Sequence, residues 1–561
     1  MDPTTMMPEN GPPHPAVRTA TTISGRNMID RRHDLDALRA IAMLLGILLH
    51  AVLSFTPIPW TVQDSQQHNH YFILFAAIHG FRMPLFFMLS GFFTAMMWRK
   101  RGMRGLISQR LRRIALPLLL GCLTIVPAMW AVSFLSRLPS PGSSQNSAVW
   151  EKVVAGETEE VRHAIESAAI DVNATSQDGA SLLTVAVFLG HTEMVEMLLQ
   201  AGADVNQRNR DQGTALHSAA FVGRAEEANL LLQAGADIDA VDASGQSVRD
   251  LLAIDFGTTN FIATSYGLPL DEHTLLAGRA EIATLSGEDL PEGSLPPAAQ
   301  RSEWTVVEAV LFQLPVFMHL WFLWFLCWLM LAFVISAPIA SRLQFRKLPQ
   351  WLVCSPISLL WLVPLTMLPQ SSMSSDQFGP DSSIGLLPIP GVLAYYAVFF
   401  FFGSVYWEMD DSHGHLGRGW PVLLLIALAV VFPAGLDIVS GTFGIASPLI
   451  RSAWRPFVGN LLQALFAWLM TFGLIGMCRR LLSRESRTMR YISDSSYWLY
   501  LTHLPLILLA QWLVRDLNLP AILKLTGIVS LISALLLLTY EYGVRYTLIG
   551  RTLNGPRSRP V

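Results

Sequence analysis

The fold is decided by the stretch 35-LDALRAIAMLLGILLH-50. It begins with a polar, basic patch and continues as an apolar helix that is long enough to enter a bilayer. Ten residues separate Arg39 from His50, so the two lie about 16 Å apart along the helix axis and, about three turns apart, on the same side. We therefore expect Arg39 at the membrane surface and His50 near mid-depth, where an ionisable side chain is costly and rarely lacks a partner or a task.

The composition is that of a membrane protein. Hydrophobic residues make up 52% of the chain and charged residues only 14%, which is typical of a chain that lies mostly in a bilayer. The net charge of −3 is the sum of two regions with opposite charge. Residues 148–300 hold 24 acidic and 7 basic residues, and the rest of the chain holds 18 acidic and 32 basic residues. Residues 1–30 contain no apolar core of a signal peptide, so we expect the first spanning helix to target the chain.

Ten apolar segments meet or approach the ~20 residues that are needed to span a bilayer. They lie at residues 37–56, 71–97, 114–136, 306–336, 351–369, 386–407, 420–440, 454–478, 492–514 and 520–545. Basic residues precede the first segment, lie between the second and third, and follow the fourth, eighth and tenth, whereas the loops 57–70 and 370–385 contain no Lys or Arg. Because basic loops stay in the cytoplasm, this alternation predicts that both termini are cytoplasmic.

A 33-residue repeat interrupts the apolar segments. The triplets that begin at Asp171, Asp204 and Asp237 recur at this spacing, and Thr214-Ala215-Leu216-His217 stands where ankyrin repeats have Thr-Pro-Leu-His. About three repeats and a degenerate cap are present, which is near the minimum for a stacked solenoid. The resemblance to ankyrin repeats implies a protein partner, which the sequence does not identify.

These segments predict a membrane domain with an insert. We expect a cytoplasmic tail at 1–36, a first membrane part with three spanning helices at 37–147, ankyrin repeats at 148–255, a linker at 256–303, a second membrane part with seven spanning helices at 304–546 and a cytoplasmic tail at 547–561. The expected fold class is all-α, a polytopic membrane protein with about ten transmembrane helices and an inserted ankyrin-repeat α-solenoid. Three crossings from a cytoplasmic start place the insert outside the cytoplasmic membrane, which is unusual for ankyrin repeats, and one miscounted helix would move it inside.

Four motifs of the membrane part resemble, in the same order, those of the acyltransferase-3 family of integral membrane O-acyltransferases. Arg39 and His50 are similar to its Arg-x10-His signature, and FFMLSGF at 86–92 resembles the end of its second helix. RLRR at 110–113 resembles its Arg-x-x-Arg motif, and SYWLYLTHLP at 496–505 resembles its ninth helix. HLWFLWFL at 319–326 is similar to the branch that includes the glucan-modifying succinyltransferases. The resemblance covers residues 37–136 and 304–546.

The resemblance implies a reaction and a set of site residues. The family transfers an acyl group from a cytoplasmic donor, usually acyl-CoA, to a hydroxyl of an extracytoplasmic glycan, and a bacterial cytoplasmic (inner) membrane is the expected location. His50 is the expected catalytic residue, either as the general base or as a covalent carrier of the acyl group. Arg39, Arg110 and Arg113 are expected to bind the donor, because a guanidinium group matches phosphate oxygens. His503 is a possible additional site residue.

Other interpretations stay open from the sequence. Arg110 and Arg113 lie in a loop with seven basic residues and could serve only to fix the topology. His503 could form a structural hydrogen bond between helices, and His319, next to tryptophans at helical spacing, is expected to pack or to face lipid. A transporter or exporter is the competing class of protein, although the helix pattern shows no internal duplication. An ankyrin scaffold anchored by a decayed enzyme is the third class, and the intact motifs argue against it.

No cofactor or metal is expected beyond acyl-CoA as the donor substrate. Cys122, Cys327, Cys354 and Cys478 lie in or beside apolar segments, and none forms a Cys-x-x-Cys pair or a zinc-type spacing. The expected partners are therefore acyl-CoA, a glycan or other hydroxyl acceptor, the lipid bilayer and a protein at the ankyrin repeats, with no nucleic acid.

Overall fold

The protein is helical throughout the part that the structure describes. The computed structural model describes residues 32–58, 60–64, 66–136, 146–176, 179–209, 212–242, 246–254, 256, 259–260, 263, 268–285, 311–312, 315–343, 348–373, 377–445, 450–451 and 454–555. Only two isolated bridges, in the repeats, depart from helices and loops within these residues. The predictions for 1–31, 286–310 and 556–561 fall outside the described residues, and the all-α prediction is confirmed.

The first membrane part contains three helices, α1 (His33–Val52), α2 (Asn69–Arg110) and α3 (Leu116–Leu135). Helix α2 is kinked at Gly102, where φ is 69°, and a π-helical turn (Leu111–Ala115) joins it to α3. The continuous helical stretch Asn69–Leu135 has 67 residues. At 1.5 Å per residue it is about 100 Å long, over three times the thickness of a bilayer, so it holds both the second and the third predicted segments.

The insert is a stack of short helices. They are α4 (Asn146–Ala155), α5 (Thr158–Glu166), α6 (Leu182–Leu189), α7 (Thr192–Gln200), α8 (Ala215–Val222), α9 (Ala225–Gln233), α10 (Val248–Leu252) and α11 (Glu272–Leu285). Equivalent residues join successive repeats: the Asp204 N–H donates to Asn173 Oδ1, and the Asp237 N–H donates to Asn206 Oδ1, both at 2.8 Å. The 33-residue period therefore places each turn against the next.

Helix α11 extends the repeat array into the segment that the sequence predicts to be a linker. It carries no repeat motif, but Leu275, Ile282 and Ala283 on it are buried. Arg279 of α11 is 0% exposed and donates hydrogen bonds to the carbonyls of Ala220, Phe221 and Ile254 and to Thr259 Oγ1. The packed body thus continues beyond residue 255, because one buried arginine joins α11 to the preceding repeats.

The second membrane part contains the remaining helices. They are α12 (Trp321–Arg342), α13 (Gln350–Val353), α14 (Leu359–Gln370), α15 (Pro390–Glu408), α16 (Trp420–Ile426), α17 (Phe432–Ser440), α18 (Arg455–Leu481), α19 (Arg487–Val514), α20 (Ala521–Thr539) and α21 (Leu548–Asn554). A π-helical turn (Ala427–Val431) joins α16 to α17, and another (Tyr540–Val544) extends α20.

Eight helical stretches of the described residues are long and apolar enough to cross a membrane. The count differs from the ten predicted segments for two reasons. Asn69–Leu135 counts once although it holds two predicted segments, and the fifth predicted segment is broken, so that only the shorter Pro356–Gln370 remains. Each of the ten segments nevertheless overlaps a helix within the described residues, and the predicted class, a polytopic helical membrane protein with inserted ankyrin repeats, is confirmed.

Close helix packing explains the small residues of the second helix. Helices α2 and α15 approach so closely that a Cβ on Gly91 would lie 1.8 Å from the Phe400 carbonyl oxygen, and one on Gly403 would lie 1.9 Å from the Met88 carbonyl oxygen. Small residues let membrane helices pack in this way.

Helix α1 lies beside α2, α18, α19 and α20, which places its side chains in the interior of the membrane domain.

Candidate active site

A cavity of about 800 Å³ lies inside the membrane domain. All five site residues that the sequence singles out line it: Arg39, His50, Arg110, Arg113 and His503. The three arginines lie at one end, which we call the arginine end. The other end, which we call the loop end, is lined by loop residues that include Trp60, Thr61, Asp381 and Ser382. One continuous space therefore joins the start of α1 to the loop that follows it.

Arg39 is held in place by helix α19. Its Nη2 donates to the Ser493 carbonyl at 2.9 Å and to Ser493 Oγ at 2.7 Å, and it lies 3.7 Å from Asp36 Oδ1. Ser493 Oγ is in turn 3.3 Å from Asp36 Oδ1. The guanidinium group is therefore oriented before any ligand arrives.

Arg110 ends α2, and Arg113 lies in the π-helical turn between α2 and α3. Arg110 Nη2 donates to Thr94 Oγ1 at 2.7 Å, while its buried Nε has no hydrogen-bond partner in the described part of the chain. Arg113 lies in the π-helical turn, a feature that is frequent at functional sites, and the Tyr497 hydroxyl donates to its carbonyl oxygen. Three guanidinium groups at one end of a cavity suit an anionic group such as a phosphate.

The His50 ring lines the cavity and has no hydrogen-bond partner among the residues that the structure describes. Its ring centroid is 5.2 Å from that of His503 and 6.0 Å from that of Trp60. Its Nδ1 is buried without a hydrogen-bond partner among the described residues. Because no carbonyl or carboxylate among the described residues fixes its tautomer, either ring nitrogen of the neutral imidazole is able to carry the proton.

His503, in contrast, has a defined tautomer. The side chain is 1% exposed, and its Nδ1 lies 3.0 Å from the Leu499 carbonyl and 2.9 Å from the Tyr500 carbonyl. A carbonyl oxygen only accepts, so Nδ1 carries the proton and donates it. Nε2 is then an unprotonated acceptor, and it is buried without a partner in the part that the structure describes.

The cavity lining also includes polar residues that the sequence did not assign to the site, among them His79, Arg82 and His319. His319 was expected to pack or to face lipid, but its buried ring lies between Met129 Sδ, at 3.0 Å from Nδ1, and the Leu501 carbonyl, at 3.1 Å from Nε2. Its ring centroid is 5.7 Å from that of His503. A cluster of imidazoles thus surrounds the middle of the cavity.

Helical spacing was the signal that could have found His79 and Arg82. Five polar residues of α19 line the cavity and recur on one face of the helix: Ser493, Ser496, Tyr497, Tyr500 and His503. His79, Arg82, Phe86 and Ser90 form a similar stripe on α2. Polar residues at intervals of three and four on a membrane helix share one side, and that side faces a partner or a cavity rather than lipid.

The loop end is fixed to the neighbouring helices. Trp60 Nε1 donates to Gln511 Oε1 at 3.0 Å, and Gln511 Nε2 donates to the carbonyls of His50 and Ala51 at 3.0 and 3.1 Å. Asp64 of the same loop forms an ion pair of 2.8 Å with Lys524, and both side chains are at most 1% exposed. The loop end therefore stays in a defined position relative to His50.

The arrangement suits the joining of two molecules that enter from opposite ends. The guanidinium groups of the arginine end suit an anion, the middle holds imidazoles, and the loop end offers an indole together with a hydroxyl and a carboxylate side chain. Among the described residues no group of three or more His, Cys, Asp or Glu has the arrangement of a metal site.

Comparison with known proteins identifies the family to which the chain belongs. The family model described as an acyltransferase domain matches residues 32–149 and 291–540, and the model for ankyrin repeats, in three copies, matches residues 150–242. Curated relatives include the glucans biosynthesis protein C of Escherichia coli strains SMS-3-5 / SECEC and K12, each 30% identical over 105 residues, which are 19% of this chain and 26% of the relative. The chain thus spans about a quarter of the length of these relatives. The acyltransferase model matches more than half of this chain. The chain therefore belongs to the acyltransferase-3 family and is a multi-pass membrane O-acyltransferase whose acyltransferase domain is split by ankyrin repeats.

Proposed function

We propose that the protein transfers an acyl group from a cytoplasmic acyl-CoA-type donor to a hydroxyl of an extracytoplasmic glycan. The observation that carries the proposal is the single cavity that joins the arginine end, the histidines and the loop end. An acyl group has to cross the bilayer in such a reaction, and a polar path through the helices provides the route. The name of the relatives, glucans biosynthesis protein C, supports a glycan as the acceptor.

The arginine end is the proposed donor site. Arg39, Arg110 and Arg113 pair with the phosphates of the donor, where each guanidinium group offers two parallel hydrogen bonds. Arg39 is already oriented by Ser493, so less conformational freedom is lost when the donor binds. The acyl thioester then extends along α1 toward His50.

His50 is the proposed catalytic residue. As a general base it takes the proton of the attacking hydroxyl while the hydroxyl oxygen bonds to the thioester carbon, and the departing thiolate then receives that proton. Alternatively, an imidazole nitrogen attacks first, which gives an acyl-imidazole and a free thiol before the hydroxyl takes over the acyl group. The unconstrained ring of His50 suits both routes. We assign His503 a supporting role, because its unprotonated Nε2 is able to accept a proton beside His50.

The proposed orientation follows the charge of the loops. The arginine end and both termini face the cytoplasm of a bacterium, the loop end faces away from it, and the ankyrin repeats lie outside the cytoplasmic membrane, where they bind a protein. The domain limits of the sequence analysis apply, with α11 added to the repeat array. Protease added to intact spheroplasts should then cleave the insert, and cleavage only after lysis would overturn this orientation.

Family membership favours an enzyme over the transporter and the decayed scaffold. The five predicted site residues, Arg39, His50, Arg110, Arg113 and His503, line one cavity, as catalysis requires. A transporter would need no acyl donor and would leave the acceptor unmodified. Chemical modification of the glycan therefore separates the two functions.

The test of the proposal is acyl transfer by the wild-type protein and by His50→Ala. Membranes receive isotope-labelled short-chain acyl-CoAs, and the label in the envelope glycan fraction is measured. We expect labelling by the wild type and a loss of at least about 100-fold in His50→Ala, because a general base contributes roughly 10²–10⁴-fold to the rate. His413→Ala, which removes an exposed histidine outside the cavity, is the matched control and should label as the wild type does.

Two results would contradict the proposal. Equal labelling by His50→Ala and the wild type, with both proteins inserted and folded, would remove His50 from the mechanism. An absence of label from the wild type with every donor would overturn the proposed donor and acceptor, and uptake or export of glycan would then be measured instead.

A further inference from the structure

Arg82 lies on α2 and crosses the surface of α1 at Gly46. The side chain is 9% exposed and lines the cavity. A Cβ built on Gly46 would lie 2.0 Å from Arg82 Nη1, so a residue with a side chain at position 46 would displace the guanidinium group. Glycine at this position therefore makes room for the arginine.

Arg82 forms no hydrogen bond or ion pair with the residues that the structure describes. Its Nε is buried and unpartnered. A buried cation in a membrane domain is costly, and such groups are normally paired or mark the path of a substrate. Arg39 and Arg110 in the same cavity do have protein partners. The missing partner of Arg82 is therefore expected to be a hydrogen-bond acceptor of a ligand, one that carries negative charge or gains it during the reaction.

The position of Arg82 along α1 indicates which part of the ligand it meets. Gly46 follows Arg39 by seven residues and precedes His50 by four, which correspond to about 10 Å and about 6 Å along the helix. Arg82 thus lies between the donor end of the cavity and the catalytic histidine, and closer to the histidine. A donor with its phosphates at the arginine end and its thioester at His50 would place the thioester carbonyl in this interval.

We propose that Arg82 is a further catalytic residue, whose guanidinium group donates hydrogen bonds to the carbonyl oxygen of the acyl thioester. This inference rests on the proposed function. When the acceptor oxygen bonds to the carbonyl carbon, the π electrons of the carbonyl move to its oxygen, which becomes an oxyanion beside Arg82. As the oxyanion collapses, the carbon–sulfur bond breaks and the thiolate leaves with the electron pair. Arg82 stays protonated throughout.

This role predicts an effect on turnover rather than on donor affinity. The carbonyl oxygen of the bound thioester is nearly neutral, and full negative charge forms on it only during the reaction. An interaction that strengthens in the transition state raises kcat, whereas the phosphate contacts at the arginine end act in the ground state and set KM. Arg82 therefore differs in function from Arg39, Arg110 and Arg113.

The first experiment measures kcat and KM for acyl-CoA in purified wild-type protein, Arg82→Met and Arg82→Lys. We expect kcat of Arg82→Met to fall about 10²–10³-fold, the usual effect of removing one donor to an oxyanion, with KM changed less than about threefold. Arg82→Lys should recover part of the activity, because an ammonium group also donates to the oxyanion. Arg99→Met is the control, since Arg99 lies on the same helix but pairs with Glu408 at 2.6 Å outside the cavity.

The second experiment separates catalysis from folding. Because Arg82 has no partner among the described residues, Arg82→Met should keep or raise the midpoint of thermal denaturation in detergent. Gly46→Ala, which leaves the arginine in the chain but occupies its space, should lower kcat as well. A lowered midpoint in Arg82→Met together with lost activity would indicate a structural role and overturn the proposal.

The remaining outcomes separate this inference from the proposed function. An unchanged kcat in Arg82→Met, or a raised KM at constant kcat, would overturn the role of Arg82 while the transferase activity stands. A wild-type protein that transfers no acyl group would overturn the proposed function and this inference together.

Discussion

Two buried arginines, Arg279 in the ankyrin array and Arg82 in the membrane domain, are treated in opposite ways by the protein around them. Arg279 is 0% exposed and donates to three carbonyls and a hydroxyl. Arg82 is 9% exposed and has no partner among the described residues. Burial alone therefore does not distinguish a structural charge from a functional one. The number of satisfied hydrogen bonds distinguishes the two kinds of charge. A buried charge without partners in the protein is kept only where another group, such as a ligand, compensates it.

The membrane domain is able to satisfy a buried charge where the charge is structural. Lys524 and Asp64 form an ion pair of 2.8 Å, Lys524 also donates to the Arg515 carbonyl at 3.0 Å, and Asp64 accepts from the Gln66 N–H at 3.0 Å. The lack of a partner for Arg82 is therefore a property of its site and not of the membrane domain as a whole. The comparison is tested by removing partnered charges and measuring stability.

The largest expected effect on stability is that of Lys524→Met. Removal of the ammonium group leaves the Asp64 carboxylate buried and uncompensated, which costs about 3–5 kcal/mol in other proteins. We expect a clear fall in the midpoint of thermal denaturation in detergent, and increased cleavage of the loop 56–64 by protease, because the ion pair holds this loop at the loop end of the cavity.

The control for this prediction removes both charges at once. Asp64→Leu combined with Lys524→Met leaves no unpaired charge, and replacement of a buried pair by apolar residues is often neutral. The double variant should therefore recover most of the lost stability. Equal destabilisation by the single and the double variant would show that the pair stabilises the protein through packing. It would contradict the view that Lys524, unlike Arg82, is a buried charge compensated by its partner.

The next largest effect is expected for Arg279→Met in the ankyrin array. The substitution keeps an apolar side chain of similar length but leaves the carbonyls of Ala220, Phe221 and Ile254 without their donor, and unsatisfied buried groups cost roughly 1–3 kcal/mol each when they stay dry. With partial hydration we expect a loss of about 3 kcal/mol. Amide hydrogen exchange of the full-length protein should show lost protection in α8, α9 and α11.

Acyl transfer provides the readout that contrasts the two arginines. Arg279→Met should retain kcat in the membrane domain, whereas Arg82→Met should lose kcat and retain stability. Protection of α11 that is equal in Arg279→Met and the wild type would show that the hydrogen bonds of this arginine are replaceable, and the distinction between the two sites would fail.

The sequence predicted the fold class and the family because both depend on patterns along the chain. The apolar segments specified membrane helices, the 33-residue period specified the repeats, and the spacing from Arg39 to His50 specified one face of α1. These residues lie in a single cavity with Arg110, Arg113 and His503, as the shared motifs imply. The roles of the individual side chains stay predictions.

What the sequence did not predict depends on contacts between distant helices. The polar stripe on α2 predicts that Arg82 faces a partner or a cavity, but only the packing of the helices shows that this cavity also holds His50 and His319. The pairing of Asp64 with Lys524 joins residues 460 positions apart, and no local pattern indicates it. Helix α11 was missed for a related reason, because its contact with the array depends on Arg279 and not on a repeat motif.

The smallest expected effect on stability is that of protonating His217 in the ankyrin array. In contrast to His50, this imidazole is buried with a defined partner, because its Nδ1 accepts from the Thr214 N–H at 3.1 Å. Burial lowers the pKa of His217 below its usual value. The hydrogen bond requires an unprotonated Nδ1, so the neutral ring is the form that stabilises α8.

The pH dependence of the array should follow from this pKa. Below about pH 6.5 the histidine of the unfolded chain binds a proton more readily than His217 of the folded array, so stability is complete above that pH and decreases as the pH falls through it. Amide exchange in α8 and α9 of the full-length protein, corrected for intrinsic rates, should show less protection at pH 5.5 than at pH 7.5. His217→Gln keeps an acceptor at this capping position but cannot titrate, so it should lose the difference. A pH dependence that persists unchanged in His217→Gln would assign the titration to other groups and would contradict this prediction.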